Sequence, residues 1–370
     1  MQKQRIGLGA LTFPATTLAA ALALSASAQA QVSIYGFLKV DMEHVSASGA
    51  GGGIAGSKRL ANNLSVLGFR AHEDLGGGLS AWAQIETNVR ADTGEGPWGG
   101  RNTAVGLKGP YGELILGQWE TPLRFVSVYA IDPFTAGIFA SNGILGNGFA
   151  TAANGLSPQS FDRRQPNLIQ YHSPVVEGFA ARLAYAPSEE KTDKLAPDIF
   201  SGLVTYNKGP LYAAYGYELH RDYFTAGSSD TAHRIGLAYS IGDTRLRFAW
   251  ERLRYEPAAA RQLSRDAWQI AATHNIGMGQ LRASYVKAQA SKGNAVAAIG
   301  SIAAPGADSG ATQVSLGYGY FLSKRTEIWA AYTKIDNGAA ALYNLSANGI
   351  AGLKAGQDPS GLGLGITHKF

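Results

Sequence analysis

The chain of 370 residues contains no cysteine. A disulfide framework and a thiol nucleophile are therefore excluded, and the absence fits a compartment in which free thiols risk oxidation. After Gln31 no stretch approaches the ~18 or more consecutive apolar residues of a membrane-spanning helix. Nothing resembles a linker, so a division into two or three soluble domains is not indicated. A large surplus of one charge is also missing. Setting Lys3 and Arg5 aside leaves 30 basic residues of 32, against 27 acidic ones, too small an excess to argue for nucleic acid. The seven histidines lie in no recognisable nucleophile motif, and no metal-ligand spacing is present, so neither catalytic nor metal-binding residues are assigned. No cofactor is indicated.

The first thirty residues read as an export signal. Lys3 and Arg5 make a positive start, a weakly apolar stretch runs from Ile6 to Leu24 with Pro14 inside it, and Ala28-Gln29-Ala30 gives the small-x-small cleavage pattern. The remaining domain would span residues 31–370.

What the sequence has in abundance is two-residue alternation. Leu79, Ala81, Ala83, Ile85 and Val89 alternate with Ser80, Gln84, Glu86, Asn88 and Arg90; Val314, Leu316, Tyr318 and Tyr320 alternate with Gln313, Ser315, Gly317 and Gly319. In the last segment Leu362, Leu364, Ile366 and Phe370 oppose Gly361, Gly363, Gly365, Thr367 and Lys369. Tyr35, Phe37 and Trp82 break the rule by falling on polar faces. Sixteen such segments are expected, beginning near Gln31, Leu64, Gly78, Arg101, Gly112, Pro166, Gly178, Ile199, Pro210, Thr231, Asp243, Arg265, Met278, Ala311, Lys324 and Ser360.

The connections alternate as well. Short turns such as Asp74-Leu75-Gly76-Gly77 and Ile241-Gly242-Asp243 are separated by longer Gly-, Ala-, Ser- and Asn-rich loops, among them Ser46 to Asn63 and Ser291 to Gly310. Short turns on one side and long loops on the other, with an even strand count and one polar face, predict an all-β fold: a transmembrane antiparallel 16-stranded β-barrel with water inside. A soluble sandwich would pack its apolar faces into a core instead. Rings such as Tyr171, Tyr215, Tyr239, Trp250, Trp268 and Tyr320, on or near the apolar faces, suit the two membrane interfaces.

These segments also resemble the general porins of β-proteobacteria. Val32-Ser33-Ile34-Tyr35-Gly36 is similar to that family's first strand, and Leu67-Gly68-Phe69-Arg70 followed by Glu73 to Leu79 to its second strand and first turn. Asn207-Lys208-Gly209-Pro210-Leu211, Leu322-Ser323-Lys324-Arg325-Thr326 and the closing Gly365 to Phe370 are similar to later turns and the end. The resemblance implies a Gram-negative outer-membrane pore for passive diffusion of small hydrophilic solutes and ions, assembled as a homotrimer in outer-membrane lipid. It also implies that Phe370 is read by the outer-membrane assembly machinery.

It further implies an inward-folded third loop that narrows the pore. The longest gap between segments, Glu120 to Gln165, is the third loop here. It carries Asp132-Pro133-Phe134-Thr135-Ala136-Gly137, similar to the family's Pro-Glu-Phe-Gly turn without its Glu. By resemblance Arg101 and Arg164 fall on the basic ladder facing that loop, while the second-strand rung falls on Val66. Alternation puts Lys39 and Arg70 on the inward face nearby. The constriction is therefore expected to involve Arg101, Arg164, Lys39, Arg70 and Asp132. Between Thr121 and Gln165 the only carboxylates are Asp132 and Asp162, against Arg124, Arg163 and Arg164. A field of that sign inside low-dielectric walls concentrates anions. Phe125, Tyr129, Phe134, Phe139 and Phe149 either pack against the wall or line the opening. The competing reading is a substrate-specific channel or a surface-binding barrel.

Overall fold

The structure is a computed structural model and describes residues 31–370 apart from 97, 129, 151–156 and 188–190. The expected export signal lies outside the described residues, as does Tyr129. Sixteen antiparallel strands follow one another around a single closed sheet. β1 is Gln31–Gly49, and β2 has two pieces, Ile54–Asn62 and Ser65–Gly76. β3 is Leu79–Val89, β4 Thr103–Gly109, β5 Gly112–Glu120, β6 Asp162–His172, β7 Phe179–Ala186 and β8 Asp198–Lys208. β9 is Leu211–Arg221, β10 Ser229–Ile241, β11 Thr244–Ala258, β12 Arg261–Ile276, β13 Gly279–Ala288, β14 Ala311–Phe321, β15 Thr326–Asn337 and β16 Gln357–Lys369. Two short pairings, Phe149–Ala150 and Lys292–Gly293, lie within loops.

Closure comes from β16 pairing with β1, from Lys369 opposite Phe37 to Gln357 opposite Gly49. Every barrel strand then has a neighbour on both edges, which satisfies the backbone where lipid offers no hydrogen bonds. The apolar positions of the alternation point outward. Leu79 and Ile85 are exposed while Gln84 and Glu86 are buried, and Leu362, Leu364 and Ile366 are exposed while Gly361 and Gly363 are buried. Tight turns close one end of the barrel. Gly242 and Gly277 stand in the left-handed region there, at φ 53° and 56°, which glycine adopts without a steric penalty.

One connection differs from expectation. Residues 46–63 form no long loop: β1 continues to Gly49, and Ile54–Asn62 pairs back on it, Arg59 opposite Glu43. Small and polar side chains here hide strand pairing that two-residue periodicity alone does not register. The inner face is also less uniformly polar than expected. In the half nearer the long loops, inward-facing Val45, Leu253, Tyr255, Leu263, Val286 and Ile335 form an apolar core with Ile138, Phe139, Ile144, Ile299, Ile302, Tyr343 and Leu345 from the loops. Burial of apolar surface thus holds the loops onto the wall, at about 25 cal/mol per Å² removed from water.

Candidate functional site

The site is built by the segment between β5 and β6. It begins as a short helix, α1, Pro122–Val128. Proline suits a first helical turn because its missing N–H has no intrahelical partner there. Leu123 and Val126 lie against Gly216 of β9 and Gly236 of β10; a Cβ on those glycines would come within 3.0 Å of Leu123 and 2.8 Å of Val126. The glycines are the room in which the helix sits. The Leu123 amide donates to Ser201 Oγ on β8 at 3.1 Å.

The segment then follows the inner wall. Phe139 lies edge-on to Trp329 at 5.7 Å, and Ile138 and Phe139 occupy the space above Gly361 and Gly363 of β16. The wall donates to loop carbonyls: Ser315 Oγ to Phe139 at 2.9 Å, Gln313 Nε2 to Ala140 at 3.2 Å and Arg265 to Ile144 at 3.0 Å. Lys39 Nζ on β1 donates to the Ala136 carbonyl at 3.1 Å. Loop backbone is therefore held by side chains of β8, β12, β14 and β1.

A buried chain of alternating charge completes the attachment. Arg265 donates to Glu251 at 2.7 Å, and Glu251 also accepts from Arg234. Arg234 reaches Asp162 at 3.0 Å. Arg124 bridges Asp162 at 3.9 Å and Glu120 at 3.4 Å, and Glu120 accepts from Arg164 at 2.5 Å. The Gly146 amide points at both Glu251 oxygens, at 3.1 Å each. Charges this deep are tolerated only when paired and hydrogen-bonded. Four arginines meet three carboxylates along the chain, so its net sign is positive.

The five expected constriction residues are distributed as follows. Arg101 is buried on the wall, with Nε 2.5 Å from Glu86 and a second bond to Asn88 Oδ1 at 3.1 Å. Arg164 belongs to the buried charge chain and also bonds Asn102 Oδ1 at 3.2 Å. Lys39 holds the loop tip and lies 5.1 Å from the Trp329 ring. Arg70 is partly exposed, 4.7 Å over Trp82. Asp132 staples the loop to itself, accepting from the Phe134 amide at 2.9 Å and from the Ser141 amide and hydroxyl at 2.6 and 2.7 Å. Burial pushes its carboxyl above the usual carboxylate range, and those hydrogen bonds oppose the shift.

Of the loop aromatics, Phe134 and Phe139 are buried. Phe125 lies 3.8 Å beneath the Arg182 guanidinium, and Phe149 lies under Arg124 at 4.1 Å and Arg164 at 5.1 Å. Sequence reasoning missed Arg182, Arg245, Arg247 and Arg282. All four occupy inward positions of β7, β11 and β13, and Arg247 is an electrostatic neighbour of Arg245, Arg282 and Asp132. Continuing the inward register from the exposed Leu246 and Phe248 would have found two of them. It also missed Glu251, Arg234 and Arg265, whose partners come from other strands and the loop. A cavity of about 680 Å³ opens beside the loop, between Asn62, Asn88 and Arg90 on one side and Arg124, Ala136 and Asn147 on the other. Among the described residues no group of three or more His, Cys, Asp or Glu side chains could hold a metal ion.

Comparisons with known proteins agree with this architecture. A family model described as Gram-negative porin matches residues 15–340. Outer membrane porin protein 32 of Delftia acidovorans is 28% identical over 386 residues, covering 100% of each chain. Major outer membrane protein P.IB of Neisseria sicca is 25% identical, covering 96% of this chain and 99% of its own. Among solved structures, an anion-selective porin from Comamonas acidovorans superposes with a TM-score of 0.77 at 26% identity, covering 92% of this chain and 100% of its own.

Proposed function

Since the chain belongs to the Gram-negative porin family, we propose that its water-filled passage carries small hydrophilic solutes with a preference for anions. It is an outer-membrane channel for passive diffusion and not an enzyme. The observation that carries the preference is the charge inside the barrel. Arg70, Arg245 and Arg247 make no ion pair among the described residues, and the loop-anchoring chain adds one more positive charge than negative. Arginine stays protonated throughout physiological pH, so this field does not titrate away. The anion selectivity of the Comamonas porin points the same way.

Arg101, Arg164, Lys39 and Arg70, with Asp132 on the loop, are the residues we assign to the constriction. The test is the reversal potential across a salt gradient in a planar bilayer. We expect an anion-selective potential that is stronger in dilute salt, because the Debye length is about 30 Å at 0.01 M and about 3 Å at 1 M. Replacing Arg101 and Arg164 by Gln should reduce it, since Glu86 then loses its ion-pair partner and Glu120 keeps only Arg124 of its two arginines. A cation-selective potential for the unmodified protein would overturn the reading, and unchanged selectivity in the double variant would remove these two arginines as its source.

The remaining assignments follow from the same membership. Residues 1–30 are read as the export signal and Phe370 as an element recognised by the assembly machinery. A homotrimer is the proposed oligomer; one solved neighbour, OmpT of Vibrio cholerae, is described in a trimer form.

A further inference from the structure

Tyr35 on β1, Trp82 on β3 and Trp329 on β15 are large aromatic side chains on the inward face, where alternation calls for polar ones. Each stands opposite a glycine of a neighbouring strand: Tyr35 opposite Gly68, Trp82 opposite Gly106 and Trp329 opposite Gly365. A Cβ on those glycines would meet the rings at 2.2, 2.3 and 2.4 Å. The rings therefore lie down against the wall, in space that only a strand glycine leaves. Trp119 of β5 braces Trp82 from the side, with ring centroids 5.5 Å apart.

Two of these rings carry a cation. Lys39 lies over Trp329 and is fixed as well by its bond to the Ala136 carbonyl. Arg70 lies over Trp82, 4.7 Å from the ring centroid, and makes no ion pair among the described residues. Its partners across the ladder, Ser33 and Gln84, are uncharged. The carboxylates on this part of the wall are taken by other donors. Glu113 accepts from Trp82 Nε1 at 2.7 Å and lies 3.5 Å from His172, while Glu86 accepts from the Tyr35 hydroxyl at 3.1 Å and from Arg101 at 2.5 Å. The aromatic N–H and O–H satisfy these acids without bringing charge. A ring face supports a guanidinium without cancelling its charge, whereas a carboxylate would neutralise it and occupy its donors.

From this arrangement we infer that Trp82 is a positioning residue for ion selectivity: its ring holds the Arg70 guanidinium at the lumen wall as an uncompensated charge, with the in-plane N–H donors left for passing anions. The inference rests on the anion preference proposed above. It adds that the preference depends on a buried ring that no ion needs to touch. Without the ring, the long arginine side chain spreads over other rotamers and its charge no longer stands at one place.

The experiment is the reversal potential of the whole barrel and its variants across a potassium chloride gradient in planar bilayers. Trp82→Leu should lower the anion-to-cation permeability ratio by about twofold, the scale on which a partly exposed cation–π contact changes a population. Arg70→Gln should lower it at least as much. The double variant W82L/R70Q should match Arg70→Gln alone, because both changes act through one charge. Trp82→Phe, which keeps a ring face, should retain most of the ratio. Gly106→Ala leaves every side chain present but drives a Cβ into the ring, so it should reproduce Trp82→Leu, and it carries the test where Trp82→Leu does not fold. Losses that add in the double variant would overturn the inference, since Trp82 would then act without Arg70. An unchanged ratio in Arg70→Gln, or in both Trp82→Leu and Gly106→Ala, would overturn it too. All these are shifts from the unmodified channel and are read whatever its own sign; a cation-selective unmodified channel would overturn the anion preference itself.

Discussion

Lys39 Nζ lies 3.1 Å from the carbonyl oxygen of Ala136, joining the first strand to the loop that packs along the inner wall. The two residues are far apart in sequence, and the bond ties β1 directly to the loop. Replacing Lys39 by Met removes the donor and one inward charge while keeping the apolar stem. Open-channel current noise should rise, and conductance should increase modestly as the tip gains freedom. Single-channel recording checks this; a quiet channel of unchanged conductance would show that the Ile138 and Phe139 packing alone holds the tip.

Glu251 is the centre of the deeper attachment, taking Arg234, Arg265 and the Gly146 amide together. Glu251→Gln leaves two buried guanidinium groups short of an anion. Breaking a buried pair from one side typically costs ~3–5 kcal/mol. Much of that cost should appear as release of the loop from the wall. We expect a larger conductance and faster proteolysis within residues 140–150, with the barrel itself intact by its resistance to unfolding in detergent. Unchanged proteolysis would mean that the apolar core suffices.

The two faces of β3 should respond oppositely to charge. Ile85 is exposed to lipid, whereas Gln84 faces inward and donates to the Asn102 carbonyl at 3.0 Å. Ile85→Arg should cost ~2–4 kcal/mol near mid-membrane. Gln84→Glu, at a position opposite Arg70, should cost about 1 kcal/mol, the worth of the one hydrogen bond it loses. Reversible urea unfolding from lipid vesicles measures both. Equal costs would place the register one residue out.

Asp132 should give the channel a pH dependence. Its carboxyl is held above the usual range because burial disfavours the anion more than the Phe134 and Ser141 donors favour it. Protonation therefore sets in at higher pH than for a free carboxylate. Asp132 is an electrostatic neighbour of Lys39 and Arg247, so as pH falls through that window the anion preference should rise. Asp132→Asn should keep the higher preference at every pH. A reversal potential series from neutral towards acid, run on both proteins, decides it; parallel curves would assign the effect to other carboxylates.

The sequence by itself determined the number of strands, their inward and outward faces and the closure of an even, antiparallel barrel. The reason is that a strand's two-residue period is local and repeats wherever one side meets lipid and the other does not. It also showed that the segment after Glu120 was too long to be a plain connection. Alternation fixes a face but neither a height nor a partner, so only the tertiary structure decided what each inward residue does. Arg101 and Arg245 both point inward, yet one is locked to Glu86 and the other has no ion pair among the described residues. Gly361 and Gly363 read only as members of the polar face, and with Gly216 and Gly236 they form the floor on which Leu123, Val126, Ile138 and Phe139 pack. The chain from Arg265 to Arg164 draws its members from β5, β6, β10, β11, β12 and α1. No short-range pattern carries such a set, because desolvated charges must find their opposites in space wherever the closed barrel brings them.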